Sequence, residues 1–78
     1  MNLYDRIERK PGVMLGKPVI KGTRIPVELI VRKLGEGASL EDLFDGYPNL
    51  RKEDIQAALL YAADTLSNEL VVELKTGT

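Results

Sequence analysis

The sequence predicts a small α+β domain, mostly helical, in which a short N-terminal β-hairpin precedes three helices. Two observations predict it. After Pro26 the apolar residues recur at i, i+3, i+4 and i+7 in three separate runs, the period of a helix face. Before it, the apolar stretches are three residues long and are bounded by Gly12, Gly16 and Gly22, which suits turns and short strands. The 78 residues make one domain, residues 1–78, with strands and an arm over 1–25, a three-helix core over 26–70 and a tail over 71–78. A chain of this size buries only roughly 60–65% of its unfolded surface, so its core is thin. Self-association often supplements such a core.

Residues 2–10 alternate weakly, with Leu3 and Ile7 among charges, as an edge strand or an arm would. Pro11-Gly12 marks a turn. Val13-Met14-Leu15 is expected to pair with Pro18-Val19-Ile20 across Gly16-Lys17, giving the hairpin. Gly22 is expected at positive φ, where a residue without Cβ is comfortable. Thr23-Arg24-Ile25 then leads out of the turn as a second short strand. Lys21-Gly22-Thr23-Arg24 lacks the spacing of a phosphate loop. Arg24 is expected to brace the turn through a carboxylate or backbone carbonyls.

The first helix is expected over 26–34, opened by Pro26, which suits a first turn. Its face is Val27, Ile30, Val31 and Leu34, and Gly35 and Gly37 end it. Ser39 caps the second helix, with Asp42 three residues on. Leu40, Leu43, Phe44 and Tyr47 form its stripe, and Pro48-Asn49 turns the chain. The third helix is expected over 51–70, with Ile55, Ala58, Leu59, Ala62, Leu66 and Leu70 as one buried stripe. Leu60 and Tyr61 fall off that stripe and are candidates for an oligomer interface. Residues 71–78 are expected to be a short strand or disordered.

The composition excludes much chemistry. The chain holds no cysteine and no histidine. Disulfides, thiolate metal sites and the commonest general base are therefore missing. No nucleophile–base pair stands out, so an enzyme is not expected, nor a cofactor or metal. Glu41, Asp42 and Asp45 lack calcium-loop spacing and are better explained by capping and solvation. No apolar run reaches membrane-spanning length, and the first residues do not read as a signal peptide, so a cytoplasmic location is expected.

The net charge of −1 does not favour nucleic acid. The halves differ, however. Residues 1–33 carry eight Lys/Arg against three Asp/Glu, a net +5, and residues 34–78 carry three against nine, a net −6. This asymmetry suits a basic face for phosphates or complementary patches between subunits.

Helices two and three, joined by a short turn and preceded by helix one, have the order of a helix-turn-helix core, and the hairpin could serve as a wing. Such a core places the start of its second helix in the major groove. Arg51, Lys52 and Gln56 are the candidate readers, since Arg pairs with guanine edges and Gln with adenine edges. Lys17, Lys21, Arg24, Arg32 and Lys33 are candidates for phosphate contacts, together with Arg6, Arg9 and Lys10. Glu53 and Asp54 would repel phosphates. The competing account is a solvated, mixed-charge surface with a dipole-favoured helix start. Tyr4, Tyr47 and Tyr61 do not interleave with basic residues, so packing explains them better than base stacking.

The strings GKPVIKGTRIPVELIVRKLGEG and SLEDLFDGYPNLRKEDIQAALLYA resemble the domain of unknown function 433 family over about residues 7–63. The resemblance rests on Gly-Lys-Pro, Gly-Thr-Arg-Ile-Pro-Val at Gly22–Val27, Tyr47-Pro48, and an acidic-start helix ending in Ala-Leu-x-Tyr-Ala. It implies a winged helix-turn-helix fold, self-association, and an antitoxin paired with a nuclease-like toxin, often of a PIN-related kind. One departure is visible. The family usually opens its third helix on Thr or Ser, where Arg51 stands here, so the cap is expected from Asn49 or to be weaker. The leading expectation is an antitoxin-type protein that binds a partner toxin and operator DNA as a homodimer or higher homo-oligomer. The alternative is a protein-interaction module that binds no nucleic acid.

Overall fold

The computed structural model describes the backbone of residues 3–77 and the side chains of residues 5–67. The chain runs from a 3-10 turn (Leu3–Arg6) into strand β1 (Ile7–Glu8). A second 3-10 turn (Met14–Gly16) leads to β2 (Val19–Ile20), and helices α1 (Val27–Gly35), α2 (Leu40–Gly46) and α3 (Lys52–Gly77) follow. This is the expected α+β order, a small hairpin ahead of a helix-turn-helix core.

The partner strand differs from the expected one. β2 pairs antiparallel with β1, Ile7 opposite Ile20 and Glu8 opposite Val19. Val13-Met14-Leu15 forms no strand. Met14, Leu15 and Gly16 all take left-handed dihedrals, with φ of 49°, 58° and 79°, which cannot extend. Val13 N–H donates to Lys10 O, and Gly16 N–H to Val13 O. Arg9 Nε–H also donates to Gly16 O at 2.9 Å. The loop is thus closed on itself, and Leu15 is left 94% exposed.

The turn at Gly22 forms as expected, with φ +78°. Thr23 holds it. Its Oγ1 donates to Ile20 O at 2.7 Å and accepts from Ile25 N–H at 3.0 Å. Gly22 N–H donates to Glu8 Oε1, tying the turn to β1. Arg24 is exposed; Glu8 and Thr23 are the braces. Thr23-Arg24-Ile25 makes no second strand, and the return leg pairs through a single bridge between Val19 and Pro26. A Cβ at Gly22 would meet nothing within 4 Å. Gly22→Ala therefore carries only the left-handed penalty, an expected loss of about 1 kcal/mol, read from urea denaturation.

Pro26 is the N-cap of α1 rather than its first turn, with φ −68° and ψ 145°. The extended ψ lets it face β2, and Val27 N–H, free of an intrahelical partner, donates to Pro18 O. At the far end Gly37, φ +100°, closes α1: its N–H donates to Leu34 O and that of Ala38 to Lys33 O. This is a Schellman cap. α2 opens on a reciprocal capping box between Ser39 and Asp42.

The core is Ile20, Val27, Ile30, Leu43, Leu50, Ile55 and Ala58, with Ile7, Val31, Leu34, Phe44, Tyr47 and Tyr61 packed around it. Leu40 begins the stripe of α2 but is exposed. α3 is rotated from expectation. Asp54, Ile55, Ala57 and Ala58 face inward, while Leu59 is 43% exposed and Leu66 55%. The small Ala57 and Ala58 let α1 approach α3 closely. Leu59, one residue on and so about 100° around the helix, points away. α3 also continues to Gly77, so residues 71–77 are helix and not a strand. Leu70 lies outside the residues whose side chains are described. No helix among the described residues is long and apolar enough to cross a membrane.

Candidate nucleic-acid interface

The start of α3 is built by one carboxylate. Asp54 Oδ2 accepts from Arg51 N–H at 2.9 Å, so the third helical residue caps the helix. Asn49 is not the source of this cap. Asp54 Oδ1 accepts from Arg6 Nε–H at 2.6 Å, which joins the N-terminal arm to α3 across 48 residues of sequence. Asp54 is 4% exposed, so its charge faces the arm and not the solvent. Of the two acids expected to repel phosphates, only Glu53 is exposed. Arg51, Lys52 and Gln56 are all exposed at this end of the helix.

A polar cleft of about 440 Å³ opens beside them, lined by Arg6, Lys21, Thr23, Asn49 and Arg51 among others. The fold therefore brings Lys21 to the candidate reading helix. Arg6 is there too, paired with Asp54, but Lys17, Arg32 and Lys33 lie elsewhere. Lys17 Nζ donates to Glu28 Oε1 at 2.8 Å. That hydrogen bond, then the Lys17 charge, hold the Glu28 carboxyl below its ordinary range; Arg32 adds to this and desolvation opposes it. Whatever the pair contributes is present above the ordinary carboxylate pKa and is lost as pH falls through the lowered value. Both side chains are solvated, so the contribution is small. Arg32 lines an apolar groove between α1 and α3, and Lys33 lies against the loop into α2 beside Ala38 and Asp42.

Leu60 and Tyr61 are separated. Leu60 is 48% exposed on the outer side of α3. Tyr61 packs on the core and lines the α1–α3 groove with Val27, Val31, Ala62 and Leu66. Sequence reasoning missed the Arg6–Asp54 pair. Half of it was legible: an acid three residues after the residue that precedes the helix, here Arg51, is capping spacing. Among the described residues no group of three Asp, Glu, His or Cys could hold a metal ion.

Fold and site define a small helix-turn-helix domain with a polar cleft at the start of its longest helix. The chain belongs to the family described as protein of unknown function (DUF433), which matches residues 7–62. It is similar to the uncharacterized protein y4eO of Sinorhizobium fredii (strain NBRC 101917 / NGR234). The two are 34% identical over 56 residues, covering 72% of this chain and 25% of the relative. The chain thus spans about a quarter of that relative's length. It is also similar to the crystal structure of a DUF433 member protein from Anabaena variabilis ATCC 29413. There the TM-score is 0.76 and the identity 36%, over 85% of this chain and 65% of the other.

Proposed function

We propose that this protein is an antitoxin-type protein that binds duplex operator DNA as a dimer and also binds a nuclease-like toxin. The observation that carries the reading is the inward turn of Asp54. It caps α3 and meets Arg6, which leaves Arg51, Lys52 and Gln56 at an exposed helix start beside Lys21. Arg51 and Gln56 are the base readers, and Lys21 and Lys52 are the phosphate contacts. The toxin partner is supported by the family resemblance, and it would supply positive charge that this chain, at net −1, lacks. The second reading, an interaction module without DNA binding, is favoured by the exposed leucines of α3.

Fluorescence anisotropy with duplex from upstream of the protein's own gene tests the choice, at several salt concentrations, with and without the product of the neighbouring gene. Affinity is expected to fall steeply with salt as counterions are released. Lys21→Ala should weaken binding to all sequences alike and lower the salt slope by about one. Arg51→Ala or Gln56→Ala should relax preference at one base pair at a cost of about 1–3 kcal/mol. Absence of salt-dependent binding in both arms would leave the interaction module.

A further inference from the structure

Three cations line the polar cleft at the start of α3: Arg6, Lys21 and Arg51. Two carboxylates line it with them, Asp5 and Asp54. Asp5 is exposed, so solvent screens its charge. Asp54 is buried, and both its oxygens are taken. Oδ2 faces the start of the helix and accepts from Arg51 N–H, while Oδ1 faces the β1–β2 ribbon and accepts from Arg6 Nε–H. Among the described residues neither the Lys21 ammonium nor the Arg51 guanidinium pairs with a carboxylate. Yet Lys21 is the cation beside Arg6. The strand register, Ile7 opposite Ile20, sets Arg6 opposite Lys21 one pair on, and Lys21 N–H donates to Arg6 O at 2.8 Å. Residues so opposed hold their Cβ atoms about 5 Å apart on one side of the ribbon, where like charges repel. Arg6 is directed at Asp54, and Lys21 is exposed.

We infer that Arg6 is a positioning residue for Lys21: by occupying Asp54 it keeps the Lys21 ammonium available to an anion at the cleft. A buried carboxylate stripped of its cation is costly, so it draws the nearest replacement. Arg51 stands on the Oδ2 side, where its own N–H already donates. The cation that reaches Oδ1 from the ribbon side is Lys21, on a flexible four-carbon stem. Once paired there, Lys21 no longer meets a phosphate, and Arg51 alone of the three cations remains. One substitution at Arg6 thus takes two cations from the cleft. Lys21 fills the place less well than Arg6, a point charge for a planar fork, so stability is lost as well. The phosphate contact of Lys21 therefore depends on a residue that is itself neutralised.

The inference deepens the DNA contact proposed above and rests on that reading for its duplex arm alone. The first arm uses the free protein. A lysine ammonium in solvent exchanges its protons too fast to be seen by nitrogen-edited NMR near neutral pH, whereas one held in a buried ion pair is slowed. Arg6→Ala is expected to bring up one slowed ammonium signal that wild type lacks. Adding Lys21→Arg or Asp54→Asn should remove it. Absence of the signal, or its survival in Arg6→Ala with Lys21→Arg, would overturn the inference. The second arm is duplex binding by anisotropy at several salt concentrations. In wild type, Lys21→Ala should weaken binding roughly fivefold at about 0.15 M salt and lower the salt slope by about one. In Arg6→Ala, Lys21→Ala should change neither. Adding Asp54→Asn to Arg6→Ala should restore the Lys21 effect. Glu53→Gln, which removes an exposed acid from the same helix start, should not. Arg6→Lys keeps a cation on Asp54 and should preserve the Lys21 effect. Where Arg6→Ala does not keep the helical circular-dichroism spectrum, Arg6→Gln, which keeps a donor and gives up the charge, takes its place in both arms. Equal losses from Lys21→Ala with and without Arg6, or restoration by Glu53→Gln as well, would overturn the inference. Capture of Lys21 in a protein that binds no duplex would sink the DNA reading and leave this one standing.

Discussion

Replacing Ile30 by alanine is expected to cost about 2–5 kcal/mol, the usual range for a fully buried aliphatic side chain. Ile30 has no exposed surface and sits in the core cluster with Ala58 of α3 and Leu43 of α2. Folded domains are stable by roughly 0.05–0.15 kcal/mol per residue, which gives a chain of this length about 4–12 kcal/mol in total. The loss therefore consumes much of the stability. Urea denaturation at matched protein concentration measures the loss. A change below about 1 kcal/mol would mean that α1 and α3 can slide together and close the cavity.

Arg6→Ala is expected to destabilise by about 2–4 kcal/mol, because it leaves a buried carboxylate without its cation. The Arg6 side chain is 21% exposed and that of Asp54 5%, so water replaces the lost hydrogen bond poorly. Asp54 retains its bond from Arg51 N–H, which keeps the loss below that of a carboxylate stranded outright. Arg6→Lys restores the charge without the guanidinium plane and should recover part of the stability. A double-mutant cycle with Asp54→Asn isolates the pair. A coupling of at least about 1 kcal/mol is expected, and one within error of zero would show that the arm is held by Ile7 alone.

The helices were legible because their ends are written in residue types. Ser39 and Asp42 spell a capping box, and Gly37 marks the left-handed position that closes a Schellman cap after Leu34. The strand pairing was not legible. Val13-Met14-Leu15 is the more apolar run, yet its dihedrals close a loop, and the two residues that pair are Ile7 and the charged Glu8. Glu8 is chosen for its side chain, which accepts from Gly22 N–H, a contact that no propensity encodes. The phase of α3 was misread for a related reason. The helix has apolar residues on two faces, and the larger ones lie on the outer face. Leucines outweigh alanines in any stripe, but alanines are what a close helix–helix approach requires. The candidate site was legible in Arg51, Lys52 and Gln56. Asp54 was not, because its inward orientation depends on Arg6, far away in sequence.

The 48-residue separation of Arg6 from Asp54 has a consequence for how the chain is made. Synthesis delivers Arg6 well before its anchor, Asp54. At about 5–20 residues per second, Arg6 waits roughly 2–10 s before Asp54 exists to receive it. During that interval β1 has the two residue pairs with β2 and the bonds from Lys21 and Gly22 to hold it, too few to persist alone. The arm therefore settles only once the start of α3 has been made.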